Sequence, residues 1–63
     1  MEKFVIKTMI NDVLESIKEL TTKQSKYWQL SHYIVPDLDV AIKSLEVTLD
    51  RLQCDLLALE SKD

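Results

Sequence analysis

Apolar residues recur along the chain at alternating spacings of four and three: Ile6, Ile10, Val13, Ile17 and Leu20 form a stripe that resumes at Tyr27 and Ile34. A helical turn of ~3.6 residues brings positions three and four apart onto one side, so this spacing predicts a first helix over about residues 2–34. The stripe weakens, without changing phase, across the polar run from Thr21 to Lys26, where Gln24 takes a stripe position, as Ser31 does later. Thr21 followed three residues on by Gln24 also fits a capping box, so a break near Thr21 or Thr22 competes with one continuous helix.

The stronger interruption is Val35, Pro36, Asp37. Proline disfavours the helical region for the residue before it, while its own fixed φ suits the first turn of a new helix. Asp37 and Asp39 then fall where carboxylates favour the positive end of a helix dipole. From here Leu38, Ile42, Leu45, Leu49, Leu52, Leu56 and Leu59 keep the four-three alternation without a miss, predicting a second helix over about 37–61 with one continuous apolar seam. A turn at 35–37 is short enough to force the helices antiparallel. The expected fold class is all-α: an antiparallel helical hairpin occupying 1–63 as one domain, and pairing into a helical bundle with itself or a partner. The first stripe spans ~42 Å and the second ~32 Å at ~1.5 Å per residue, so about two turns of the first helix should overhang and need cover.

A lone hairpin buries one stripe per helix and should carry few other apolar residues. This chain carries more. Val40, Val47 and Cys54 repeat every seven residues on the side away from the leucine seam, Leu57 and Ala58 extend that surface, and Met9, Leu14, Trp28 and Leu30 widen the first stripe. Val40, Val47, Cys54, Leu57, Tyr27 and Trp28 are therefore the candidate partner interface, aromatic anchors being common hot spots.

Composition sharpens this picture. A chain of 63 residues and 7.3 kDa has no room for a substrate domain beside a cofactor domain, which disfavours most enzymes. Hydrophobic residues make up 46% and charged residues 30%, with no Gly and one Pro, which excludes disordered and loop-rich all-β classes. Small cores are commonly reinforced by disulfides, metals or association. One Cys and one His remove the first two within a single chain, leaving association.

The net charge of −3 divides unevenly: residues 1–36 carry five Lys and four acids, residues 37–63 three bases and seven acids. Such a chain is a poor partner for phosphate or anionic lipid. The absence of a long apolar run, of a basic-then-apolar leader and of a second Cys fits a cytoplasmic protein without a membrane partner.

Candidate chemistry is thin. His32 and Cys54 lie far apart on antiparallel rods, so no nucleophile and base meet; Cys54 reads as a packing residue and His32 as a polar helix end. The pairs Glu15 with Glu19 and Glu46 with Asp50 read as solvated charge rather than a metal site, and without glycine there is no phosphate-binding loop. Catalytic, metal and cofactor-binding residues are thus expected to be absent, with no cofactor and no small-molecule substrate. Lys18, Lys23 and Lys26 beside Tyr27 and Trp28 make the one basic and aromatic segment. The favoured expectation is a small non-enzymatic protein–protein interaction module, an adaptor, chaperone or inhibitor acting through apolar helix faces, or a homodimer. Its alternative is a dimeric four-helix-bundle RNA-binding regulator using the Lys18–Trp28 segment.

Overall fold

The first helix, α1, runs without interruption over Lys3–Ser31 in the computed structural model, which describes residues 2–61. With no Gly or Pro in this stretch, nothing in the backbone opposes helix. The hydroxyls that compete with it elsewhere bond backward one turn instead, Thr8 to the carbonyl of Phe4 and Thr22 to that of Lys18. The capping-box alternative at Thr21 is not used, because Thr21 and Thr22 are both inside the continuous helix.

α1 ends at Ser31, three residues before the expected boundary. His32 adopts the left-handed conformation, with φ 55° and ψ 32°, and its N–H donates to the Trp28 carbonyl at 2.8 Å. A left-handed residue after the last turn is a common helix stop, although glycine usually supplies it because a Cβ costs energy there. Residues 32–35 form the connection, longer than the three-residue turn expected, since the chain must leave α1, cross to the second axis and enter it extended before proline.

The second helix, α2, covers Pro36–Ser61, with Asp37 and Asp39 in its first turn as the sequence predicts. The Val35 carbonyl accepts from the N–H groups of Leu38 at 3.1 Å and Asp39 at 3.2 Å, which closes the helix entry. Asp39 also pairs with Lys43 at 3.1 Å, one turn on. The two helices pack as an antiparallel hairpin measuring 51 × 15 × 13 Å, with no strand among the described residues.

Because α1 stops early and α2 starts early, the helices are nearly matched in length and the expected overhang of α1 does not occur. Ile6, near the α1 start, is the most buried side chain at 2% exposure and packs at the level of Ala58 and Leu59 near the end of α2. Elsewhere the interface is thin. Leu38, Ile42, Leu45, Leu49, Leu52, Leu56 and Leu59 all face α1 yet are only partly buried, as are Ile10, Val13, Ile17 and Leu20 opposite them. Two rods in contact shield each other on one side only, so most of a seam of this kind stays partly open to solvent.

Candidate functional site

Gln24 explains the weak point in the first stripe. Its side-chain amide reaches across the hairpin to the residue before Pro36: Oε1 accepts the Val35 N–H at 3.1 Å while Nε2 donates to the Val35 carbonyl at 3.2 Å. A primary amide carries one donor edge and one acceptor edge, so one side chain satisfies both backbone groups of Val35. The polar residue in an apolar column is a clasp that fixes where the chain reverses. Nothing local to Gln24 signals this, since its partner lies 11 residues away.

The clasp organises the turn end of the hairpin. Trp28 sits one turn beyond Gln24, half-exposed, with its ring edge-on to His32 at 5.2 Å between centroids and 89° between planes. Together with Ile34 and Ile42 it borders a shallow, mostly apolar groove floored by Gln24. Ile34, expected to continue the stripe inside the first helix, lies instead in the connection and is exposed. The sequence pattern missed this groove; the signal was there in Trp28 beside the stripe, but joining it to Ile34 and Ile42 requires the turn geometry.

The six candidate interface residues are all exposed, and they divide into two groups. Val40 at 63%, Val47 at 61%, Leu57 at 64% and Cys54 lie along the outer face of α2. Seven residues advance a helix about 20° short of two full turns, so Val40, Val47 and Cys54 stack nearly in line. Leu57 flanks that line. Tyr27 and Trp28 belong to the turn end of α1, about 100° apart around its axis. The structure does not join the two groups into one patch. Further apolar exposure occurs at Phe4, the highest at 77%, and at Leu30, Tyr33 and Ile34.

The charged candidates remain dispersed. Lys18 and Lys23 border a shallow depression that Glu15 and Glu19 share, so basic and acidic groups alternate there. Lys26 and Trp28, two residues apart on a continuous helix, point to nearly opposite sides. Cys54 is an exposed free thiol on α2, while His32 is in the connection at the other end of the hairpin. Among the described residues no cluster of three or more His, Cys, Asp or Glu side chains has the geometry to hold a metal ion, and no helix is long and apolar enough to cross a membrane.

No protein-family model matches this chain, and neither a curated protein sequence nor a solved structure shows significant similarity to it.

Proposed function

We propose that this chain is a small protein–protein interaction module, an adaptor, chaperone or inhibitor in kind, that acts by stoichiometric binding through its apolar helix faces rather than by catalysis. The observation that carries this reading is an imbalance: among the described residues one large apolar side chain is fully enclosed, while eleven are exposed, among them three along the outer face of α2. A partner that covers these side chains supplies the burial the hairpin lacks. The distribution of charge supports protein over RNA as that partner, because Lys18 and Lys23 share their surface with Glu15 and Glu19, and Lys26 points away from Trp28.

Affinity capture from a lysate of the source organism on the immobilised chain tests the proposal, with Val47→Glu as the paired bait. Retention of a stoichiometric protein, this chain or another, that survives about 0.5 M salt and is lost from the Val47→Glu bait is expected, since apolar contacts resist screening. Retention of nucleic acid that disappears with salt would favour the RNA-binding alternative. A folded bait that retains neither overturns the module.

A further inference from the structure

The outer face of α2 has a second property besides exposed valines. Beside the line of Val40, Val47 and Cys54 runs a flanking column, also at seven-residue intervals: Pro36, Lys43, Asp50 and Leu57. Read backwards this column is Leu, Asp, Lys, Pro, so reversal sets apolar ends against each other and puts Lys opposite Asp. When two helices pack antiparallel, flanking columns on the same side face each other. We propose that α2 docks along this outer face against α2 of a second copy of this chain, antiparallel, with Val47 on the twofold axis; this rests on the interaction-module reading and names its partner.

In that register Val40 meets Cys54 of the second copy, Lys43 meets Asp50 of the second copy, and Leu57 meets Pro36 of the second copy, each contact occurring twice as an isologous interface requires. Lys43 is free to take part, because its pairing with Asp39 leaves the Lys43 side chain 74% exposed.

Long-range charge selects the same orientation. Residues 18–47, the turn-proximal half, carry four bases (Lys18, Lys23, Lys26, Lys43) and four acids (Glu19, Asp37, Asp39, Glu46), net zero. The remaining described residues, 2–17 and 48–61, carry three bases (Lys3, Lys7, Arg51) and six acids (Glu2, Asp12, Glu15, Asp50, Asp55, Glu60), net −3. A parallel pair would also bring Asp50 near Arg51 of the second copy, but it would set two −3 ends side by side. An antiparallel pair sets each against a neutral end.

Area is consistent with one partner of this size. The chain exposes 5007 Å². A folded monomer of this mass exposes about 4,200 Å², which leaves a surplus of roughly 800 Å², the share one partner contributes to a standard interface.

Sedimentation equilibrium and disulfide trapping test the proposal on the full chain. The wild-type chain is expected to be a dimer at tens of micromolar, and Val47→Glu a helical monomer. Asp50→Lys is expected to raise the dimer Kd about tenfold, and adding Lys43→Asp to restore it, because two ion pairs are first turned repulsive and then rebuilt with reversed sign. Under mild oxidation the wild type should not cross-link, since its two Cys54 Cα atoms lie about 20 Å apart in the antiparallel register. Val40→Cys should cross-link as a dimer, its new thiol facing Cys54 of the second copy. A wild-type monomer at every concentration overturns the homodimer; if the apolar-face bait still captures another protein, the module itself stands. A wild-type Cys54 cross-link overturns the orientation, and a Val47→Glu dimer overturns the face.

Discussion

Replacing Gln24 by Met tests whether the hairpin is held at its turn by the amide clasp or by the apolar seam alone. Met has nearly the same length and removes both polar edges. Each of the two hydrogen bonds to Val35 contributes about 0.5–1.5 kcal/mol net, giving about 1–3 kcal/mol at risk. The losses are unequal. The Val35 carbonyl still accepts from Leu38 and Asp39, whereas its N–H gives up the Gln24 acceptor. Against this, an apolar side chain at a partly buried seam position returns up to about 1 kcal/mol. The expected net loss is about 1–2 kcal/mol, a large share of the ~3–9 kcal/mol that a chain of this length holds. Thermal and urea melts followed by circular dichroism at 222 nm, at one fixed protein concentration so that association does not confound them, should show a Tm lower by about 5–15 °C. Gln24→Glu, which keeps an acceptor for the Val35 N–H but loses the donor, should fall between wild type and Gln24→Met. A Met variant as stable as wild type, or more so, would refute the clasp and return Gln24 to the status of a polar gap in the seam.

Ile6→Ala should cost about 2–4 kcal/mol and exceed Leu49→Ala, expected at about 1–2 kcal/mol, because Ile6 is enclosed while Leu49 is partly open to solvent; denaturant melts giving the reverse order would contradict the burial of the terminal end. His32→Gly should change stability by less than about 1 kcal/mol, the relief of the left-handed conformation offsetting the lost ring contact with Trp28. His32→Val should destabilise by about 1–2 kcal/mol, since a β-branched side chain is least tolerated at positive φ; equal melting of the two variants would place His32 in another backbone state.

Hydrophobic period, proline and the acidic start were enough to specify two helices and their antiparallel pairing. The leucine column from Leu38 to Leu59 carries that information redundantly, and redundancy is what makes a pattern readable without neighbours. The outward line of Val40, Val47 and Cys54 was legible for the same reason: orientation about a single helix axis is a local property. The end of α1 was not. Tyr27, Ser31 and Ile34 keep the helical period, but where the helix stops depends on how many residues are needed to reach α2, and His32 meets that need by turning left-handed. Gln24 shows the same limit more sharply. In sequence it is a flaw in a stripe, because its reason for being polar is the backbone of Val35, brought within 3.2 Å only after the chain has reversed. Ile6 became the most enclosed residue, rather than an overhang, through the same early reversal. Period fixes which side of a helix is apolar; only the path of the connection decides how far each rod extends and which side chains along it meet.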